Sequence, residues 1–555
     1  MGRMIRRLLL PVLMPVLAIL AAACSKPDDG PVEEMAVLRA VTPSLDGIIL
    51  PPGETVELPF TVTDPEFTFN YSVSSPGCQI RLIEPGGKVP EEFLLTEVRA
   101  SGDKGSYVAL VADAGTGRSY ETRASIAIVQ KSGTDGSETI VRSREISFKS
   151  KDAPPGTVYT GLPVVYVDTE GGTAITSKDD YLSASLSIMG DGGYEGLEAV
   201  TCSIRGRGNT TWYWPKKPYL LKLDKKESLL GLPKHKRWIL LANFMDRTLM
   251  RNLVSMKVAS LTSLDWTPHC VPVELVLNGR HQGSYLLIEQ VRVDKDRVPV
   301  TEMTKDDNSG EALTGGYLLE LDFHFDNEVQ WVDPHGGNFQ WGGQSGVPFG
   351  VKYPDPEDLT KAQLDYIKQY VYDAAETLYG DNFTDPEKGY AQYLDVDSFI
   401  DYWLVFEVMC NHELGNPGSV YFHKDRGGKL VAGPCWDFDW GVLSFYTSNG
   451  DRGLVNGNAI WYARLFQDPD FKARVKTRFE ELLPKLETIP DYMDQCEALL
   501  TKSAGLNFTM WNPAEDASQN GGHIINGDEN MSFHDAVKRL KSNYLKHLQV
   551  IRDTL

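Results

Sequence analysis

Two aspartates stand one residue apart in a run that otherwise suits a buried core. Residues 428–441 read GKLVAGPCWDFDWG, and Asp437 and Asp439 are the charged residues of its aromatic half. Burying an unpaired carboxylate is costly, or it forces the group to take up a proton. The pair therefore requires a cation, a set of N–H donors, or solvent in a cleft.

The loop before this run offers more oxygen ligands. The stretch FEVMCNHELGNPGSVYF contains Asn411, Glu413 and Asn416 after an apolar, helix-like segment. Mg²⁺ prefers oxygen ligands and fills its remaining positions with phosphates and water. A loop acid, a hairpin and an Asp-aromatic-Asp run also follow the order of catalytic loop and metal-binding Asp in protein kinases. A Ca²⁺ site or a glycosidase carboxylate pair stays open at this point.

A glycine-rich turn far upstream has the chemistry of an anion site. In IRGRGNTTW, Gly206 and Gly208 allow a sharp turn with exposed N–H groups, and Arg205 and Arg207 add two cations. The basic pair at 216–217 lies close by in the sequence. The turn is therefore predicted to bind phosphate or carboxylate, which a glycosidase would not need.

A lysine and an acid on nearby strands are a candidate ion pair. KKPYLLKL predicts a strand in which Leu220 and Lys222 share one face. Lys222 meets a phosphate if that face borders a cleft, and otherwise it is a solvated edge lysine. Glu289 ends an apolar strand face in GSYLLIEQVRV and is its candidate partner, with Glu320 in GGYLLELD as the competitor.

The stretch LANFMDRTLMRN begins a predicted helix over 249–264. Asp246 stands where a helix N-cap would stand. Arg251 and Asn252 could face the cleft, or they could be an ordinary solvated pair.

The N-terminus resembles a bacterial lipoprotein signal. A basic stretch precedes an apolar run at 8–20, shorter than the about 20 residues of a membrane span. The run ends in three alanines and Cys24. The pattern predicts a signal peptide over 1–23, acylation of Cys24, a tether over 24–35, and a cell-envelope protein held to the membrane by its lipid. An ordinary secretory signal with a chance cysteine is the alternative.

Composition and cysteine spacing argue against a nucleic-acid surface and a zinc site. Lys and Arg total 55 and Asp and Glu total 76, so the net charge is −21, which argues against a nucleic-acid surface. The six cysteines other than Cys24 show no CxxC or CxxH spacing, so a zinc site is not expected.

The order of patterns predicts an α+β chain of several domains. Short alternating runs broken by Gly, Pro and Asp over 36–150 predict a small all-β, Ig-like sandwich that is a spacer or a binding domain. KDAPPGT opens a linker over 151–160. Strand patterns dominate a β-rich lobe at 161–356, and helical patterns with one small hairpin dominate 357–555.

Five stretches in order carry a family resemblance: IRGRGNTTW…KKPYLLKL, LANFMDRTLMRN, GSYLLIEQVRVDKDRV, GGYLLELD and GKLVAGPCWDFDWG. From about residue 160 to the C-terminus the chain resembles the CotH kinase family. The resemblance implies an atypical protein-kinase-like fold with a β-rich and a helical lobe. It also implies ATP with Mg²⁺ between the lobes and phosphorylation of Ser or Thr on an envelope protein.

The resemblance also implies roles for individual residues. Asp437 is the metal-binding residue, and Asp439 supports it or holds a second ion. The glycine turn and its arginines cover the phosphates, and Lys222 is the strand lysine. Trp436 and Tyr285 are the rings that could stack on adenine.

The chain departs from the family pattern at the catalytic loop. Glu413 stands where many members have a catalytic Asp, and Ser419 stands where a metal-binding Asn is expected. The helix after Asp246 has no Glu, so the lysine partner must be Glu289 or Glu320. A non-catalytic surface lipoprotein with a degenerate nucleotide cleft is the alternative function, and a metal-dependent hydrolase is a third.

Overall fold

The structure divides between residues 151 and 152 into two units. In the first unit, the computed structural model describes the strands and residue 137. In the second unit, it describes residues 154–555 except 192, 325–328, 338, 342–343, 445–452 and 515–525. The predicted signal peptide, Cys24 and the tether lie outside the described residues, as does the start of the predicted linker.

The first unit contains eight described strands. β1 to β8 span Leu38–Ala40, Ile48–Leu50, Thr55–Val62, Gly77–Ile83, Phe93–Ala100, Ser106–Asp113, Glu121–Lys131 and Glu138–Ser150. They form two four-stranded sheets with the orders β1-β3-β6-β5 and β2-β8-β7-β4. Alternating sequences such as TVELPFTV produce such strands. The packing of the two sheets into an Ig-like sandwich stays a prediction.

A closed seven-stranded barrel begins the second unit. β9 to β15 span Val164–Thr169, Leu182–Met189, Leu197–Gly206, Tyr219–Glu227, His235–Leu241, Cys270–Leu277 and Arg280–Glu289. Their order is β10-β11-β12-β13-β15-β14-β9, and closure leaves no free sheet edge. Alternation directs Leu221 and Leu223 into the barrel, while Leu220 faces outward into the main core.

A second sheet takes strands from both sides of the predicted lobe boundary at 356/357. β16 to β21 span Tyr317–Leu321, Gln330–Asp333, Phe339–Trp341, Gln344–Tyr353, Val420–Lys424 and Leu430–Ala432. The order is β17-β19-β16-β20-β21, with β18 paired to β19. The hairpin of β20 and β21 was predicted to stand within a helical lobe. It pairs instead with β16, and both faces of β20 are buried.

The other long elements of the second unit are helices. The described helices α1 to α9 span Thr210–Tyr213, Arg251–Ala259, Gly310–Leu313, Lys361–Tyr379, Val396–Val408, Tyr462–Leu465, Pro469–Leu486, Ile489–Met510 and Phe533–Thr554. A capping box of Thr360 and Gln363 starts α4, and α5 is buried almost throughout. The α+β fold class is confirmed. Among the described helices, none is long and apolar enough to cross a membrane.

A buried lysine joins the barrel to α8. The Nζ atom of Lys216 donates hydrogen bonds to the Ala242 carbonyl (2.8 Å), the Ser284 carbonyl and Asn507 Oδ1 (2.8 Å). It also lies 4.5 Å from the centre of the Tyr285 ring. Burial lowers the pKa of Lys216 to about 7. Three acceptors match the three N–H groups of an ammonium, so the side chain acts as a structural tie.

We predict that Lys216→Met destabilises the protein by about 2 to 4 kcal/mol, because three buried acceptors lose their donor. Lys217→Met is the matched control. Lys217 is only partly buried and donates one bond, to the Trp212 carbonyl, so its loss should cost less than about 1 kcal/mol. Urea unfolding of both variants measures the difference, and equal midpoints would contradict the structural role of Lys216.

Candidate active site

Seven of the predicted site residues line one cavity of about 730 Å³ in the second unit. Its walls come from barrel strands β11 to β13, from β16, β19 and β20, and from the loops at 412–419 and 436–440. The seven residues are Arg205, Arg207, Gly208, Glu413, Trp436, Asp437 and Asp439. The glycine turn and the aspartate pair are far apart in sequence but face the same space.

Six carboxylates line this cavity. Five of them we call the acidic cluster: Glu320, Asp322, Glu413, Asp437 and Asp439. The sixth, Asp179, is exposed. Asp437 and Asp439 lie close enough for each carboxylate to affect the pKa of the other. Burial is the largest cause that raises the pKa of Glu413, Asp437 and Asp439, and neighbouring carboxylates raise all three further. The charge of Arg207 acts in the opposite direction on the pKa of both aspartates.

Asp322 is a member that the sequence analysis missed. Its Oδ1 accepts hydrogen bonds from the His324 N–H and from His324 Nδ1, both at 2.8 Å. Its Oδ2 accepts one from the Ser419 N–H at 3.3 Å. Burial raises the pKa of Asp322, and Glu320 raises it further. The alternation of LELD could have shown that Asp322 follows Glu320 on one face.

Buried amide side chains hold the loop that carries the aspartate pair. Asn252 Oδ1 accepts a hydrogen bond from the Phe438 N–H, between the two aspartates, at 2.8 Å. Asn526 Oδ1 accepts one from the Gly441 N–H at 3.0 Å, and its Nδ2 donates to the Asp439 carbonyl at 3.1 Å. Both asparagines are buried. Asn252 therefore supports the loop from behind and does not line the cavity.

Arg251 lies in the same buried layer. Its Nε donates to the Val442 carbonyl at 2.9 Å, and its guanidinium pairs with Asp246 and with Asp528, the latter at 2.6 Å. Asp246 also accepts hydrogen bonds from the N–H groups of Thr248 (2.9 Å) and Arg251 (2.8 Å). Asp246 is thus both a cap near the start of α2 and the counterion of a buried arginine.

Two positions in the loop have left-handed backbone. Asp437 has φ +63°, a conformation that aspartate tolerates better than most residues but at some cost. Gly441 has φ +70°, and a Cβ there would lie 2.6 Å from His412 Cε1. The glycine that ends DFDWG therefore permits the loop at 412–419 to approach the aspartate loop.

The two glycines of the glycine turn have different structural roles. Gly206 is buried at the end of β11, its N–H donates to the Ser177 carbonyl at 2.9 Å, and a Cβ would collide with the Trp212 ring. The prediction that Gly206 offers its N–H to an anion is wrong, because a strand-end hydrogen bond already uses that group. Gly208, with φ +88°, does line the cavity.

The two arginines of the turn have different surroundings. The guanidinium of Arg207 lies 5.8 Å from the centre of the Trp436 ring and close enough to the aspartates to lower their pKa values. The guanidinium of Arg205 lies 5.0 Å from the centre of the Tyr181 ring at the border of the cavity. Of these two arginines, Arg207 is the one that faces the acidic cluster.

Three predicted nucleotide-binding residues lie away from the cavity. Lys222 is exposed and does not line the cavity. It lies two residues beyond Leu220, which does line the cavity, on the same strand face. Glu289 is buried, and its carboxylate lies 2.8 Å from His269 Nδ1 and 3.8 Å from Arg297 Nε. The predicted ion pair between Glu289 and Lys222 is therefore wrong. Tyr285 points into the barrel and stacks on Tyr219 at 6.3 Å, so it cannot stack on adenine.

The cavity has its own lysine–glutamate pair on the second sheet. Lys352 Nζ on β19 lies 2.9 Å from the carboxylate of Glu320 on β16, and both residues line the cavity. Tyr421 also donates a hydrogen bond to Glu320 at 2.6 Å. The charge of Glu320 raises the pKa of Asp437, so this pair adjoins the aspartates. Sequence reasoning named Glu320 as a competitor but had no signal that β19 would pair with β16.

The acidic cluster fits a divalent cation with phosphates. Among the described residues, no group of three or more His, Cys, Asp or Glu side chains is placed so that it could hold a metal ion by itself. Mg²⁺ commonly takes only one or two carboxylates and completes its shell with phosphates and water. The raised pKa of Asp437 and of Asp439 shows that a cation bound beside the pair would relieve an unfavourable concentration of negative charge.

A family profile described as CotH kinase protein matches residues 204–551, more than half of the chain. The fold and site thus define an α+β protein with a nucleotide-sized cavity, and the chain belongs to the CotH kinase family. A search of curated proteins finds no match.

We predict that stability without divalent cations falls as the pH rises from about 4 towards the raised pKa values of the cluster. In this range the folded state keeps protons that the unfolded state has lost, so each rise in pH favours unfolding. Urea unfolding in a chelator at about pH 5 and about pH 8 should show the fall, and Mg²⁺ should reduce it.

Asp439→Asn is the variant for this measurement, since it removes one charge from the shared pair with little change in shape. The fall with pH should be smaller in the variant than in the wild type. An equal fall in both would show that repulsion between the aspartates does not limit stability.

Proposed function

We propose that the protein is a CotH-type phosphotransferase that uses ATP with Mg²⁺ and phosphorylates Ser or Thr of an envelope protein. In this proposal the barrel is the β-rich lobe of a kinase-like domain and the remainder of the second unit is the helical lobe. One observation carries the proposal: Arg207 and the acidic cluster, from distant parts of the sequence, face each other across one cavity. A cation opposite clustered acids is the arrangement that a metal–polyphosphate complex requires.

Asp437 and Asp439 are the proposed metal ligands. When bound there, Mg²⁺ supplies charge neutralisation for the phosphates of the nucleotide. Arg207 and Lys352 are the proposed phosphate cations. Arg207 also has the planar N–H groups that suit phosphate oxygens. Glu320 holds Lys352 in place, the role that the sequence analysis assigned to Glu289.

The apolar part of the cavity is the proposed adenine site. Leu220, Ile239 and Leu241 of the barrel and Val291 after β15 line it. Gln290 also lines it, and its Oε1 atom is buried without a hydrogen-bond partner among the described residues. An adenine amino group would satisfy such an acceptor. Trp436 lies beside Arg207, so we assign it to the phosphate end rather than to adenine.

The proposed reaction is an in-line transfer. The acceptor hydroxyl attacks the γ-phosphorus, the bond between this phosphorus and the β–γ bridging oxygen breaks, and ADP leaves. Glu413 orients the hydroxyl and accepts its proton. The carboxylate must be ionised for this task, and a cation on the neighbouring aspartates favours that state by lowering the raised pKa of Glu413.

The raised pKa of Glu413 also favours a second candidate, a pseudokinase that acts as a binding module. Burial and three neighbouring carboxylates, Asp322, Asp437 and Asp439, oppose ionisation of the group that must act as base. A protonated Glu413 could not accept the hydroxyl proton. The two candidates differ in turnover but share the nucleotide cavity.

We also propose that the protein works in the cell envelope, anchored by lipid on Cys24. The basic, apolar and small-residue order of residues 1–24 supports this location. The net charge of −21 gives the chain no general attraction to anionic lipid, so the acyl chains would supply the membrane affinity.

We predict that Mg²⁺-ATP raises the thermal midpoint of the wild type by a few degrees, as saturating ligand contributes about 3 kcal/mol at a hundredfold excess over Kd. Asp437→Asn should abolish the shift and Lys352→Met should reduce it. Lys222→Met is the matched control and should keep the full shift, because Lys222 lies outside the cavity. A full shift in Asp437→Asn, or none in the wild type, would refute the proposed nucleotide site.

Glu413→Gln separates the two candidates in the same assay. The variant should keep the Mg²⁺-ATP shift, since Glu413 is not a proposed ligand, and it should lose transfer of labelled phosphate to casein. If the wild type shows the shift but transfers no phosphate, even to itself, the pseudokinase is correct.

A further inference from the structure

Three cations surround the exposed ring of one tyrosine beside the cavity. Arg205, Lys222 and Arg237 place their charged groups 5.0, 5.9 and 5.9 Å from the centre of the Tyr181 ring. Arg237 also donates a hydrogen bond to the Tyr181 hydroxyl at 2.6 Å. Tyr181 is 36% exposed. We call these four residues the cationic patch.

The register of the barrel places the patch just outside the cavity. Arg205, Leu220 and Ile239 form one cross-strand row, and all three line the cavity. Lys222 and Arg237 are paired in the next row on the same face. Two residues along a strand span about 7 Å, so the patch begins at the cavity border and extends away from it.

The three cations of the patch are not held in ion pairs with the described residues. Within the described part of the chain, none of the three cations lies within ion-pair distance of a carboxylate. Other cations of the barrel are paired, as in Lys226 with Asp294 at 2.6 Å. A cation–π contact at an exposed site contributes about 0.5 to 1 kcal/mol, but three like charges around one ring also repel one another. Such an arrangement favours the binding of an anionic group from another molecule, in a chain whose net charge is −21.

We infer that the cationic patch docks an acidic segment of the polypeptide that the enzyme phosphorylates. The inference rests on the proposed function and adds the substrate class. A nucleotide in the cavity reaches Arg205 at most, because Lys222 and Arg237 do not line the cavity. A polypeptide that crosses the cavity mouth reaches all three cations, and the exposed Tyr181 ring gives it an apolar contact.

An extended acidic segment fits better than an anionic membrane. Membrane recognition of this kind uses clusters of about four to eight basic residues. The patch has three, and the exposed Asp179 and Asp180 precede Tyr181 in the sequence. A flat anionic surface would meet these two carboxylates as well, whereas a narrow segment can avoid them. Docking outside the reacting centre should act on acceptor affinity and leave the chemical step unchanged.

The test compares two double charge reversals. Lys222→Glu with Arg237→Glu removes the patch. Lys225→Glu with Lys236→Glu changes the net charge equally at two exposed lysines of the same strands. The probe is a fluorescein-labelled oligo-glutamate peptide with one serine, and its oligo-glutamine counterpart is the control. Fluorescence anisotropy without nucleotide measures binding to the full-length protein.

The wild type should bind the glutamate peptide more tightly than the glutamine peptide at low salt. The patch variant should bind the glutamate peptide about tenfold more weakly, as expected for two lost exposed ion pairs with added repulsion. The control variant should bind as the wild type does. Equal binding of the two peptides by the wild type, or equal weakening in both variants, would overturn the inference.

The Mg²⁺-ATP thermal shift of the patch variant decides whether the patch serves the nucleotide instead. An unchanged shift supports a separate acceptor site. A shift reduced as strongly as peptide binding would place the patch in the nucleotide site and overturn the inference. Because the anisotropy needs no ATP, absence of any shift in the wild type would refute the proposed function without deciding the peptide result.

Discussion

Repulsion among the partly buried carboxylates of one cavity is the constraint on which the candidate site depends. Like charges a few ångströms apart interact strongly where water is scarce. The protein offsets this repulsion with the charge of Arg207 and with the Lys352–Glu320 pair. Each of these devices is partial. A divalent cation bound to a polyphosphate would complete the neutralisation, so charge balance and phosphate binding have the same physical origin.

The scaffold keeps these charges in place. The closed barrel fixes the turn that carries Arg207, and the amides of Asn252 and Asn526 fix the backbone on both sides of Asp439. Behind the loop, Arg251 is neutralised by two aspartates. A site built on packed side chains and satisfied buried donors can hold like charges close together, because relaxation of the loop would break these bonds.

Local sequence patterns predicted several individual strands. KKPYLLKL predicted the strand that the structure shows as β12, and GSYLLIEQVRV predicted the strand that ends at Glu289, which is β15. The sequence also indicated that the glycine turn and the aspartates act together. It could not predict that Lys222 falls one row outside the cavity, because alternation defines a face but not where a cavity ends. It could not predict the Lys352–Glu320 pair either, since strand pairing between β16 and β19 is a long-range choice.

The most direct test of the central claim is a crystal structure with Mn²⁺ and a non-hydrolysable ATP analogue, with anomalous scattering used to locate the metal. The account predicts an anomalous peak at coordination distance from the carboxylates of Asp437 and Asp439, bridged to the phosphates, with Arg207 on the phosphate side. A nucleotide bound in the cavity with no metal at these aspartates, or a metal held elsewhere, would contradict it.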